Sequence, residues 1–417
     1  MRKLLQKILK VFSKLVLKKY KPVIIAITGS VGKTSTKEAI FAVLKNHFGE
    51  KRIRRNQRNY NNEIGVPLTI FGLETGGRSI LRWIPRFAKI FWMLVFRTSY
   101  PDFLVLEMGA DRPGDINYLT NFVKPRVSVI TAVGEIPVHV EFYKGPDQVA
   151  EEKKNLIKCL DKDDVAVLNN DDERVKKMRE GIGAEVMTYG IREKSDIMAT
   201  NYDLKIGNNG NAAELNFKLD FKGSSVPAKL INVLGVQNLY SALAGAAVGI
   251  IFGINLVEIS EALKKLRPLP GRMSLLKGVK NTLIVDDSYN ASLLAMEAGL
   301  ESLKIFENNP PAGRHGRKVL ALGDMLEIGE YAQEAHERIG RKAAGIADLI
   351  FVVGNRAKFI SEAAKKEGFP ADKIFEFDTA DQAGLAMQKE LKGGDIVFIK
   401  GSRAMKMEKV VEELLAR

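Results

Sequence analysis

A chain of 417 residues with 46% hydrophobic and 27% charged side chains has a soluble globular balance and length for two or three domains. A single cysteine, Cys159, excludes an internal disulfide framework and fits a reducing compartment. The lack of 18 uninterrupted apolar residues argues against a spanning helix. The formal charge of +14 admits nucleic acid, a membrane surface or anionic small substrates. No RNA-binding or helix-turn-helix signature accompanies the basic residues, so no nucleic-acid partner is expected.

Residues 2–19 predict an amphipathic helix: Leu4, Leu5, Ile8, Leu9, Phe12, Leu15 and Val16 recur at helical spacing, with lysines on the other face. No continuous apolar run or small-residue cleavage site follows this basic start, so a signal peptide is not expected. Val23-Ile24-Ile25-Ala26-Ile27 is β-branched and predicts a buried strand, followed by a Gly-rich turn and a helix from about Thr34. Lys51, Arg52, Arg54, Arg55 and Arg58 form a basic run with the character of a diphosphate site. Residues 80–98 are again apolar and basic and hold both tryptophans. Strands are predicted at Phe103–Leu106, ending at Glu107, at 127–130 and at 165–168; residues 185–232 predict a small antiparallel excursion. An Ala- and Gly-rich helix spans about Asn238 to Phe252 and suits close packing. Pro268-Leu269-Pro270-Gly271 reads as a linker. Beyond it, strands near 282–286, 318–322, 348–353 and 395–399 alternate with helices. The expected organisation is α/β: a basic helix over 1–20, a P-loop-type ATP-binding domain over 21–267, and a smaller doubly wound, Rossmann-like domain over 268–417.

Thr28-Gly29-Ser30-Val31-Gly32-Lys33-Thr34-Ser35 lies between a strand and a helix. Glycines let such a turn curl so that N–H groups face a phosphate. Lys33 suits the β/γ-phosphates and the Thr34 hydroxyl suits Mg²⁺. The spacing departs from the common P-loop in having Ile at position 27. Glu107, at the carboxyl end of a buried strand, is placed for a further Mg²⁺ contact. Taken alone, His139 reads as a structural histidine, and Lys153, in Ala150-Glu151-Glu152-Lys153-Lys154, as part of a solvated helix face.

The order of these segments resembles the Mur ligase superfamily, and its MurF-like members in particular. The phosphate loop is joined by Asn59-Tyr60-Asn61-Asn62-Glu63-Ile64-Gly65-Val66-Pro67, Leu106-Glu107-Met108-Gly109-Ala110, His139 to Lys153, and Leu168-Asn169-Asn170-Asp171-Asp172. Gly235-Val236-Gln237-Asn238, Pro270-Gly271-Arg272, Asp286-Asp287-Ser288-Tyr289-Asn290-Ala291, Leu322-Gly323-Asp324-Met325-Leu326-Glu327 and Lys400-Gly401-Ser402-Arg403 complete it, over about residues 22–412. The sequence departs from the pattern at Gln237, where His is frequent, and after Ala291, where Asn-Pro is expected. The phosphate loop begins at Thr28, so the usual N-terminal UDP-sugar domain is not expected ahead of it.

The resemblance implies an ATP-dependent amide ligase acting through an acyl phosphate, adding D-alanyl-D-alanine to UDP-N-acetylmuramoyl-tripeptide in peptidoglycan synthesis. It implies two Mg²⁺ ions, one held by Thr34 and Glu107, the other by His139 and a carbamylated Lys153. Asn238, Arg272 and Asp287 match nucleotide positions; Tyr289 and Asn290 lie where the incoming dipeptide belongs, and Arg403 is expected to bind its terminal carboxylate or a phosphate. The expected location is the cytoplasm, with contact of 2–19 and 80–98 with the inner membrane face as one option and packing of both on the protein as the other. Two rivals remain: a Mur-like ligase for another amine acceptor, as in folylpolyglutamate synthases, and a non-enzymatic nucleotide-gated membrane scaffold.

Overall fold

The structure is a computed structural model that describes residues 2–57, 60–207, 213–308 and 316–416. Arg58 of the basic run and Asn59 of the Asn-rich run lie outside the described residues. The β-branched run after Tyr20 forms Val23–Thr28 (β1), and its near-total burial reflects its central place in a sheet. Ile53–Arg55 (β2), Phe103–Glu107 (β3), Val127–Ile130 (β4), Val165–Asn169 (β5) and Glu185–Gly190 (β6) join it in parallel, in the order β2-β3-β1-β4-β5-β6. The antiparallel excursion is Ile197–Ile206 (β7), Ala213–Phe221 (β8) and Ser224–Ile231 (β9). It is not separate: β7 pairs with β6, so these strands extend the same sheet.

Alternate residues of this sheet face two apolar layers. Ile25 and Ile27 pack with the helices Lys33–Phe48, Gln237–Ile251 and Leu256–Lys264, while Ile24 and Ala26 face the other side. Each fully buried isoleucine contributes on the order of 1.5–3 kcal/mol. The Ala- and Gly-rich composition of Gln237–Ile251 has a steric reason. A Cβ on Gly249 would lie 2.7 Å from Val43 Cγ1, so only glycine lets this helix approach Lys33–Phe48 so closely.

On the second face lie the helices Arg2–Tyr20 and Ile80–Val95, the latter corresponding to the second basic-apolar stretch. Phe12 meets Phe87 at 6.2 Å. Lys19 Nζ donates to the carbonyls of Met93, Leu94 and Phe96 at 2.9, 3.0 and 2.7 Å, satisfying the carbonyls left open at a helix C-terminus. Each helix therefore buries one stripe on the domain and on its neighbour: Leu9, Ser13 and Val16 from one, Trp83, Ile90 and Met93 from the other.

After the Pro-rich linker, Ser274–Gly278 (β10), Thr282–Asp287 (β11), Lys318–Gly323 (β12), Leu349–Val353 (β13), Ile374–Phe377 (β14) and Ile396–Lys400 (β15) form a second sheet. Its order is β10-β11-β15-β12-β13-β14, parallel except for β10. Three strands were not anticipated, β2 in the first sheet and β10 and β14 here; all are short and none carries an unbroken apolar run. The architecture is the expected α/β pair of layered sheets, and the carboxyl ends of the two sheets' strands face a common cleft.

Candidate active site

The cleft has a volume of about 850 Å³ and is lined from both sheets, from Ser30 to Thr36 on one side and Asp287 to Ala295 on the other. Its floor is the turn after β1. Gly29 has φ +149° and Gly32 has φ +87°, and a Cβ on Gly29 would fall 1.9 Å from Thr131 Oγ1. The turn is pinned from below: Ser30 N–H donates to the Ala132 carbonyl at 2.6 Å, and Thr28 Oγ1 donates to the Met108 carbonyl at 2.9 Å. Lys33 Nζ curls back to the Gly29 carbonyl at 2.7 Å. Burial lowers its pKa, opposed by Glu107.

Glu107 ends β3 and is buried. Asn61 Nδ2 donates to its Oε1 at 3.3 Å, and Lys37 Nζ stands 3.8 Å from its Oε2. Asn56 also holds this strand end, donating to the Glu107 carbonyl at 3.4 Å and accepting from the Glu107 N–H at 2.5 Å. Lys37 and Asn56 had not been singled out, and Asn61 had been noted only within the Asn-rich run, with no role assigned. The signal for Lys37 was present: it falls with Thr36, Ile40, Val43 and Leu44 on the inward stripe of its helix.

His139 sits in a left-handed conformation, φ +70°, between two acids. Its Nε2 is 3.3 Å from Asp111 and its Nδ1 is 2.8 Å from Glu327 of the second sheet's layer, which holds the Glu327 carboxyl below its ordinary range. Asp172 steadies the segment leading to His139 by accepting from the N–H groups of Val133 and Gly134 at 2.9 and 2.8 Å.

Lys153 overturns its reading as a solvated lysine. In the helix Pro146–Lys158 the inward residues are Val149, Glu152, Lys153, Leu156 and Ile157, and Lys153 is only 1% exposed. Helical spacing from Val149 to Leu156 places positions 152 and 153 inside, a signal that the surrounding charges concealed. Glu152 spends its charge on the Gly114 and Ile116 N–H groups at 2.9 and 2.8 Å. Lys153 has no such outlet. It lines the cleft, and among the described residues no hydrogen bond or ion pair within 4.0 Å reaches its ammonium. Burial, reinforced by Lys33, brings its pKa down to about 7.

The second sheet's side of the cleft is ordered differently. Lys400 is buried, donates to the Asp287 carboxylate and reaches the Asn290 carbonyl at 2.9 Å. Burial raises the Asp287 pKa, opposed by Lys400. Asp287 is not a helix cap; Ser292 caps the next helix by accepting from Ala295 N–H at 3.3 Å. Arg272, from the linker, donates to Thr34 Oγ1 at 3.2 Å and lies over the Tyr289 ring at 4.3 Å. It thereby joins the two layers. Arg403 lies over the same ring at 5.5 Å and pairs with Glu408 at 3.2 Å, and its N–H donates to Asn290 Oδ1 at 3.1 Å. Asn238 lines the cleft at the start of its helix, its amide donating to the Leu234 carbonyl at 2.7 Å.

A Gly-rich strand-turn-helix carrying Lys33 and Thr34, an acid at the end of the adjacent strand, and a linker arginine that reaches the loop threonine agree with what family models find. The Mur ligase middle domain matches residues 27–81 and 90–249, and the Mur ligase glutamate ligase domain matches 271–403. The chain belongs to the Mur ligase family. This Mur ligase is 29% identical to the UDP-N-acetylmuramoyl-tripeptide–D-alanyl-D-alanine ligase of Bacillus subtilis, over 94% of its own length and 76% of that protein. It is 30% identical to the Escherichia coli protein of the same name, over 94% of this chain and 76% of that one. The crystal structure of MurF ligase from Thermotoga maritima in complex with ADP superposes with a TM-score of 0.77 at 26% identity, covering 98% of this chain and 83% of that one. This Mur ligase is an ATP-dependent, amide-forming enzyme.

Proposed function

We propose that this ligase joins D-alanyl-D-alanine to UDP-N-acetylmuramoyl-tripeptide in peptidoglycan precursor synthesis. A carboxylate oxygen of the tripeptide attacks the γ-phosphorus of ATP and ADP leaves. The dipeptide amine then attacks the acyl phosphate carbonyl, phosphate leaves and the amine loses a proton. The observation that carries the reading is the pair of lysines, half-buried Lys33 and fully buried Lys153, on a cleft wall that offers them no carboxylate within hydrogen-bonding distance. Such a wall is electrostatically incomplete until anions arrive.

The phosphate loop Thr28 to Ser35 cradles the nucleotide in this reading. Lys33 exchanges the Gly29 carbonyl for the γ-phosphate and stabilises the charge that moves onto the leaving oxygen. Among the described residues no three of His, Cys, Asp and Glu converge as an ion site. Mg²⁺ is commonly held by one or two carboxylates plus substrate phosphates, so a hydroxyl and one carboxylate suit an ion that arrives with ATP. Thr34 and Glu107 would hold that ion. His139 and Lys153 would hold a second, with Lys153 carbamylated. A neutral amine is the form that reacts with CO₂, and burial favours it here. The ions supply charge neutralisation at the phosphoryl and acyl oxygens. Asn238, Arg272 and Asp287 contact the nucleotide, Tyr289 and Asn290 receive the dipeptide, and Arg403 takes its carboxylate or a phosphate. The domains 21–267 and 268–417 close about the linker 266–271. The enzyme works in the cytoplasm, and segments 2–19 and 80–98 touch the inner face of the membrane.

The test is ADP release from purified protein given ATP, Mg²⁺ and UDP-N-acetylmuramoyl-tripeptide, with and without D-alanyl-D-alanine. Release that depends on both substrates supports the proposal. Release with L-glutamate instead assigns a different acceptor, and nucleotide binding without amine-dependent release assigns the scaffold role.

A further inference from the structure

The helix Ile80–Val95 buries Trp83, Ile90 and Met93 but leaves an opposite stripe uncovered. Leu81, Phe91 and Trp92 are 77%, 65% and 55% exposed, with Ile84, Val95 and Phe96 exposed beside them. Trp92 and Phe96 pack with ring centroids 4.0 Å apart, tilted by 37°, so two aromatic rings form one end of the stripe. The neighbouring helix Arg2–Tyr20 shows Leu4, Val11 and Leu15 to solvent, interleaved at helical spacing with Lys7, Lys14 and Lys18.

The two segments themselves carry charge of one sign. Residues 76–100 contain Arg78, Arg82, Arg86, Lys89 and Arg97 and no acid; residues 2–21 contain Arg2 and seven lysines and no acid. A second copy of this chain would bring cations against cations. No helix among the described residues is long and apolar enough to cross a membrane. An apolar stripe with a large aromatic component, rimmed by cations and about 24 Å long, suits a helix that lies in the headgroup layer. We propose that this two-helix face docks on an anionic lipid surface, inserting Leu81, Ile84, Phe91, Trp92 and Val95 while the lysines and arginines meet the headgroups. This rests on the membrane contact proposed above and gives it a face and a lipid class.

Both tryptophans of the chain lie in this helix, one buried and one on the stripe, which makes emission a direct probe. Full-length protein is floated with phosphatidylcholine vesicles and with phosphatidylcholine–phosphatidylglycerol vesicles, without ATP. The expected result is at least about tenfold stronger binding to the anionic vesicles, with Trp emission shifted to the blue and quenched by brominated acyl chains. Binding weakens in about 1 M salt, where screening acts within about 3 Å. The double variant L81E/F91E loses at least about tenfold in binding while its ADP release in solution is unchanged. Equal binding to both vesicles, or anionic binding without Trp quenching, overturns the proposal. A concentration-dependent dimer that F91E dissolves, with no vesicle binding, assigns the face to a second copy and also overturns it. None of these failures touches the ligase reading, which is tested by ADP release alone.

Discussion

On the first-sheet wall of the cleft Lys33 donates only to backbone carbonyls and Lys153 meets no acceptor, whereas on the second-sheet wall Lys400 is joined to Asp287 and Arg403 to Glu408. All four are basic side chains beside one cavity, yet only the first pair meets no carboxylate. A buried cation without a counterion is costly, and a protein keeps one where an anion or a chemical modification completes it. A cation already paired with a carboxylate fixes geometry. The contrast separates the wall proposed to perform the chemistry from the wall proposed to close over it.

The contrast is broken most directly at Lys33. Lys33→Ala is expected to lower kcat by about 10³-fold, the scale of losing one charge-stabilising donor, with an unchanged far-ultraviolet spectrum. Near-normal turnover would remove the phosphate-loop assignment. At Lys153 the expected loss is about 10²-fold or more in Lys153→Ala, with partial return when acetate is added, because a small carboxylate fills the vacated oxygen site. Lys153→Arg keeps the charge but cannot be carbamylated and stays inactive; full activity there would reduce Lys153 to a buried structural cation.

A pH series sharpens the same point. Without carbamylation the folded chain loses the Lys153 proton at about 7, whereas the unfolded chain keeps it to about 10.5. Between those values the unfolded state binds more protons, so this group makes stability rise with pH. In CO₂-free buffer the melting temperature is expected to climb from pH 7 to 9 more steeply in wild type than in Lys153→Met, by on the order of 2 °C. Parallel slopes would contradict the depressed pKa. On the paired wall effects should be smaller. Arg403→Ala is expected to change kcat/KM by about tenfold, mostly through KM for the dipeptide. Glu408→Gln, which removes only the half-buried partner of the exposed Arg403, should change it by less than about threefold.

Much of the fold could be read from the chain because its central strands are unbroken β-branched runs and its turns are Gly- and Pro-rich. The weaker strands β2, β10 and β14 escaped for want of that pattern. At the site, the Gly-rich turn from Thr28 to Ser35 was legible as a local string, since its glycines are demanded by backbone conformation within a few residues. Lys153 was not legible from its charged neighbours, although the apolar period from Val149 to Leu156 points it inward. Partnerships across domains were not legible at all: Glu327 with His139, and Arg272 with Thr34, depend on how two layers meet. His336 shows the same limit. It is fully buried, held near a pKa of about 4 by burial, and its Nε2 accepts from Met325 N–H at 2.9 Å, steadying the turn that carries Glu327. Nothing in its flanking sequence announces that role.

The central claim, that Lys153 completes the chemical wall by taking up CO₂, is tested most directly by ¹³C NMR of the enzyme equilibrated with ¹³C-bicarbonate. The account predicts a carbamate signal in wild type and in Lys33→Ala that is missing from Lys153→Arg. A fully active wild-type enzyme with no carbamate signal would contradict it.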